Sequence, residues 1–271
     1  MGKDKPRPNV PHITGAMITE VLRSLGPGPG DSVFAHNSLS RFGWVEGGAE
    51  AVCRAYIDAV SPEGTVIMPA FTFGLINKPD AVLDLANEPS CVGRIPEIFR
   101  IRFATHRSRH ITHPVSAAGP KADYFTAGHS RDAFDENSAF RRLVDDRGYV
   151  VLNGVDYNAC TFFHCIEYAL PVPYIGMIEK PDAYILLADG QVIPANCRVH
   201  HPTMPYDFNR MAKLLEGENL TRIATCGNSI IRCFDAAAVF YRVLAELQRD
   251  PLALALEEGM RLRIPVSIAP D

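Results

Sequence analysis

The chain has 271 residues, 47% hydrophobic and 21% charged, with 31 acidic against 27 basic side chains and a formal net charge of −4. That composition allows a large core without staples, and the mildly negative charge argues against a nucleic-acid partner. Seven scattered cysteines with no Cys-x-x-Cys pair read as reduced thiols, and no apolar run reaches the roughly 20 residues of a membrane span, so a cytoplasmic protein with no membrane partner is expected.

Residues 1–11 are polar and proline-bearing and read as a loose N-terminal arm, not a signal peptide. Thr14 begins a helical pattern (Met17, Val21, Leu22, Leu25) that stops at the Gly26–Gly30 cluster. Asp31 to His36 reads as a buried strand and Asn37 to Gly43 as a polar turn. Gly47-Gly48 opens a second helix, and Thr65 to Met68 forms the next strand, which completes a βαβ unit. Thr72 to Ser90 looks loop-like, Arg94 to Arg100 helical, and Arg107 to Pro120 irregular. Thr126 to His129 reads as a turn and Ser138 to Leu143 as a short helix. A strand from Tyr149 to Leu152, a turn at Asn153-Gly154 and a helix holding His164 and Glu167 follow. Next comes a hairpin, Asp182–Ala188 and Gln191–Val199, around Asp189-Gly190. His200 to Pro205 reads as a loop, Tyr206 to Leu215 as a helix, Thr221 to Thr225 as a strand and Phe234 to Leu247 as an apolar helix. With no linker or repeat, one α/β domain spans residues 1–271, built on a mainly parallel or mixed sheet flanked by helices with an added hairpin. The exposed Tyr184 hairpin is a candidate homodimer surface.

Three clusters suggest chemistry. His36 to Gly43 lies at the C-terminal end of the first strand, where open α/β sheets bind ligands, although it is neither a Walker nor a dinucleotide motif. From spacing alone, a turn with capping hydroxyls and a ligand loop are equally good readings. His106, His110 and His113 lack a carboxylate or cysteine at ligand spacing, and Pro114 breaks any helix there, so no metal is expected. His164 and Glu167 share one helix face with Thr161 a turn earlier. A carboxylate beside an imidazole fixes its tautomer and stabilises its protonated form, as a general base near neutral pH requires. Cys160 and Cys165 are rival nucleophiles or small buried hydrophobes.

At this point the residues resemble the aminoglycoside 3-N-acetyltransferases, acyl-CoA-dependent enzymes outside the GNAT fold. His36-Asn37-Ser38-Leu39-Ser40 with Gly43, Gly47 and Gly48 is similar to the family's HSSLS…G…GG segment. Pro62 to Pro69 is similar to its PEGTLVMP, Thr126 to His129 to its TAGH, Cys160-Thr161 with His164 and Glu167 to its CTxxHxxE, and Gly227-Asn228 with Arg232 and Phe234 to its GNAxxRLF. The match runs from about Val21 to Leu247. The resemblance implies acetyl-CoA as co-substrate, a small-molecule amine as acceptor and no metal. It makes His164 and Glu167 the catalytic pair, with Thr161 or backbone N–H groups supporting the oxyanion. It places His36, Asn37, Ser38, Leu39, Ser40, Phe42 and Gly43, with Thr72 and His113, Pro114 and Val115, around the pantetheine and phosphates. Glu136, Asp156, Tyr157, His201 and Asp207 are the acceptor-side candidates.

The chain departs from the family pattern at several points. Asn37 stands where serine is usual, Asn158 where aspartate is usual, and His200 and His201 where aminoglycoside-modifying members tend to be acidic. The acceptor is therefore either an aminoglycoside or a biosynthetic amine. A cysteine-dependent acyltransferase or hydrolase, and a non-catalytic acyl-CoA-binding protein, are the alternatives.

Overall fold

Three runs with almost no exposed position, Ser32–Asn37, Thr65–Pro69 and Tyr149–Asn153, form the parallel centre of a seven-stranded sheet in the computed structural model, which describes residues 9–129 and 131–256. Strands apolar on both faces need cover on both faces. The alternation of side chains supplies two separate cores. Phe34, Ile67, Val150 and Leu152 point to one side, against Phe140, Phe162, Ile166 and Phe240. Val33, Ala35, Val66, Met68 and Val151 point to the other, against Leu22, Val52, Tyr56 and Phe99. The result is a mixed sheet between two layers of helices.

The strand order is Arg222–Cys226, Ser229–Asp235, Tyr149–Asn153, Ser32–Asn37, Thr65–Pro69, Val115–Ala118, His106–Arg107. Within this sheet every pairing outside the central three strands is antiparallel. The expected βαβ unit is present, with Gly48–Val60 as its helix. The helix starts were legible from their caps: Thr14 Oγ1 accepts from the Met17 amide, and Ser138 Oγ from Arg141.

Several expectations need correction. The stretch from Arg107 to Pro120 is not wholly irregular, because Val115–Ala118 pairs with Thr65–Pro69. Thr126 lies in a helix, Ala122–Ala127, rather than in a turn. Ser229–Asp235 is a strand, and the last helix begins only at Ala236, where Asp235 Oδ1 accepts from the Ala238 amide. Of the expected hairpin, only Tyr184–Leu186 and Val192–Pro194 pair with each other, and Val82–Asp84 joins them in parallel. Cys197–Pro202 leaves that hairpin to pair with Ile175–Lys180, so His200 and His201 lie in a strand rather than in a loop. Asn196, at a left-handed φ of 47°, makes the break. Tyr206 to Leu215 is a 3₁₀ turn, Phe208–Met211, followed by a helix, Ala212–Gly217. Residues 1–8 of the expected arm lie outside the described residues. Among the described residues no helix is long and apolar enough to cross a membrane.

Candidate active site

The parallel strands end together, and a cavity of about 510 Å³ opens beyond their carboxyl ends. His36 and Asn37 reach it from the first strand and Pro69 from the second, with Val155 and Asn158 following the third. A buried polar network fixes this rim. Asn37 Oδ1 accepts from the Tyr56 hydroxyl at 2.8 Å and from Asn153 Nδ2 at 3.2 Å, and Asn153 Oδ1 accepts from Ser229 Oγ at 2.7 Å. The turn after Asn153 requires glycine: Gly154 has φ +67°, and a Cβ there would lie 2.5 Å from Arg41 Cβ.

The helix Phe162–Ala169 packs Phe162, Phe163 and Ile166 into the core and turns His164 to the cavity. His164 Nδ1 lies 2.6 Å from Glu167 Oε2, and Tyr174 donates its hydroxyl to Glu167 Oε1 at 2.7 Å. Both carboxylate oxygens are thus engaged, Nδ1 carries the proton, and Nε2 faces the cavity with the Tyr206 hydroxyl 3.5 Å away. Phe134 and Phe208 pack on the imidazole, each with ring centroids 5.0 Å from it. The ring of His200 lies 4.2 Å from that of His164, and among the described residues neither of its nitrogens has a protein partner. Thr161 ends the approach to the helix, and its hydroxyl makes no capping bond.

Burial sets the electrostatics. It pushes His164 down to about 3 and the Glu167 carboxyl up to about 7, because each charged form has lost its water. The two groups touch, so the unit that titrates is the pair. It gains one proton as it passes from carboxylate plus neutral imidazole to a neutral whole. Loss of hydration likewise lowers His36 to about 3 and His200 to about 2.

Of the residues singled out from sequence, His36, Asn37, His113, Thr161 and His164 line the cavity, with Glu167 directly behind His164. Ser38, Leu39, Ser40 and Gly43 form the turn that leads away from Asn37 and do not line it. Phe42 is fully buried in the core, and so is Val115. Thr72 donates its hydroxyl to the Ile111 carbonyl at 2.6 Å, and the Pro114 carbonyl accepts from the Ala70 amide. Tyr157 is a core residue whose hydroxyl meets Thr221 and Glu216. Asp156 and Asp207 accept from the amides of Asn158 and Asn209. His201 points to solvent while its neighbour His200 points in, as strand alternation requires. Glu136 lines a second cavity of about 370 Å³ with Asp132, Asp135, Arg141 and Arg198. Phe134, Tyr174 and Tyr206 were not singled out, and the alternation along Cys197–Pro202 was the available signal for His200.

His110 binds the Arg198 carbonyl and His106 is exposed, so the early histidine cluster does not converge as a ligand set. His164, Glu167 and His200 do bring ligand atoms within 4.8 Å of one another. With both Glu167 oxygens engaged, that group offers a cation two imidazoles. Cys160 and Cys165 are buried, with thiol pKa values pushed well up by burial.

A sequence profile of the aminoglycoside 3-N-acetyltransferase family matches residues 34–248. A prophage-derived aminoglycoside N(3')-acetyltransferase-like protein, YokD of Bacillus subtilis, is 34% identical over 179 residues, 58% of this chain and 66% of that protein. Aminoglycoside N(3)-acetyltransferase III of Pseudomonas aeruginosa is 26% identical over 228 residues, 76% of this chain and 82% of the relative. A solved structure of AAC-IIIb with CoASH superposes with a TM-score of 0.76 at 23% identity, over 88% of this chain and 97% of that one.

Proposed function

This chain belongs to the aminoglycoside 3-N-acetyltransferase family, and we propose that it moves an acetyl group from acetyl-CoA to a primary amine with the His164–Glu167 pair as general base. The observation that carries the reading is the buried imidazole with Nδ1 held by Glu167 at 2.6 Å and Nε2 open to the cavity. An amine attacks a thioester only as the free base and must shed a proton as the new bond forms. His164 Nε2 takes that proton, and Glu167 stabilises the imidazolium through Nδ1–H. The same proton can pass to the departing CoA thiolate, which leaves the pair as it began. Thr161, with its hydroxyl uncapped at the cavity wall, is a side chain able to support the oxyanion.

The cavity fits the arm of CoA in chemical character. Phe71, Phe73, Ile76 and Val92 suit its alkyl segments, and Asn37 and Asn158 suit its amides. The relative solved with CoASH supports this co-substrate. The buried, protonated thiols of Cys160 and Cys165 favour direct transfer over an acyl-cysteine. The test is thiol release from acetyl-CoA over a panel of amines. His164→Ala should lower turnover at least ~100-fold, the scale of a lost general base, with an unchanged melting curve. Unaltered turnover would remove His164 from the mechanism.

A further inference from the structure

Among the described residues sixteen side chains line the cavity before His164, and none is Asp, Glu, Lys or Arg. Four are histidines, all buried and lowered by loss of hydration, so the wall is neutral at physiological pH. Asp156 and Asp207, next in sequence to the lining residues Val155 and Tyr206, each cap a turn and do not line the cavity. Asp132, Asp135 and Glu136 line the second cavity instead, whose Phe134 ring packs on the His200 ring of the first with centroids 5.3 Å apart. Size adds a second constraint. The volume of about 510 Å³ must hold the thioester end of the donor as well as the acceptor.

We propose that the acceptor is a compact amine with one basic nitrogen and an uncharged, partly apolar body, and that polycations are poor substrates. The inference rests on the acetyl-transfer reading above and narrows its substrate. A second ammonium group entering this cavity would lose water and, among the described lining residues, meet no carboxylate, since Glu167 lies behind His164 and is taken up by it, a cost that a neutral ring or alkyl body does not carry. One ammonium can be received, because the His164–Glu167 pair takes its proton and the face of Tyr206 beside it tolerates a single cation.

The experiment compares kcat/KM by thiol release from acetyl-CoA at low and high salt. The acceptors are 2-phenylethylamine and glucosamine against kanamycin and spermidine. The expected result is a preference for at least one monoamine over both polycations of about tenfold or more, with little salt dependence. A second variant sharpens it. Asn158 Oδ1 accepts from the amides of Phe208 at 2.7 Å and Asn209 at 3.4 Å, bonds an aspartate oxygen would keep. Asn158→Asp places a charge at the wall and should raise the polycation-to-monoamine ratio at least about fivefold, in a salt-sensitive way. A wild-type preference for kanamycin or spermidine, or an unmoved ratio in Asn158→Asp, overturns this inference and leaves acetyl transfer standing. Silence with every amine, in wild type and His164→Ala alike, removes the acetyl-transfer reading and this inference with it.

Discussion

The loop around His110 and the helix around His164 each hide an imidazole from water, and they use it in opposite ways. His110 Nδ1 accepts from the amides of Thr112 and His113, and Nε2 binds the Arg198 carbonyl. Every polar atom of that ring is committed to the backbone. His164 commits Nδ1 to Glu167 and leaves Nε2 toward the cavity with only the Tyr206 hydroxyl at 3.5 Å beside it among the described residues. Two nearly equal burials thus give one ring that closes a loop and one that can accept a proton. Residue type and burial do not separate the two roles; the free nitrogen does.

The sharpest test of that contrast is Glu167→Gln. The amide cannot stabilise an imidazolium, so turnover should fall at least about tenfold, a barrier increase of ~1.4 kcal/mol or more, while acetyl-CoA affinity by calorimetry stays level. A protein that unfolds instead would make the pair structural, like His110. His110→Ala should do the reverse. It leaves two buried amides without an acceptor, a loss of about 2 kcal/mol, read as a lower melting temperature with kcat changed far less than by Glu167→Gln.

Acid separates the regions by pH. Burial lowers His110 to about 4, so the unfolded chain takes up its proton near 6.5 and the folded chain does not. Its stability contribution is present above pH 6.5 and is lost as pH falls toward 4. Melting temperature should drop across that window, and His110→Ala should show a shallower drop. Activity should decline earlier, as pH falls through about 7 and the pair gains its proton, a loss visible in a kcat/KM profile. The smallest effect belongs to Cys160→Ala with Cys165→Ala. Turnover within about twofold of wild type is expected for groups that take no part in the chemistry, and a large loss would restore the acyl-cysteine route.

The sequence made the central sheet legible because its strands are continuous apolar runs bounded by glycine-bearing turns, as at Pro62-Glu63-Gly64 and Asn153-Gly154. The turn at Asp189-Gly190 gave the hairpin in the same way. Ser229–Asp235 escaped because it runs straight into a helix, although it pairs across Gly227-Asn228 with Arg222–Cys226 as well as with a strand some 80 residues earlier. Within the site, His164 and Glu167 were legible because one helical turn joins them. Tyr174, Tyr206 and Phe134 were not, since nothing local ties them to His164. His200 and His201 differ only in which way the strand turns them, and that follows from pairing with Ile175–Lys180.

The network of Tyr56, Asn37, Asn153 and Ser229 divides what can vary in this molecule. Asn37 and Asn153 are tied to each other and to a helix and a further strand, so exchanging one strands a buried donor or acceptor on the others. New variants on that side must arise as coordinated multiple changes. His200 and Pro202 belong to the strand Cys197–Pro202 and Tyr206 to the segment after it, and among the described residues the two nitrogens of His200 have no protein partner to disappoint. A library seeking a different acceptor would find more accessible single steps along Cys197–Pro202 and the segment after it than at the sheet rim, where a change has to be matched at its hydrogen-bond partners.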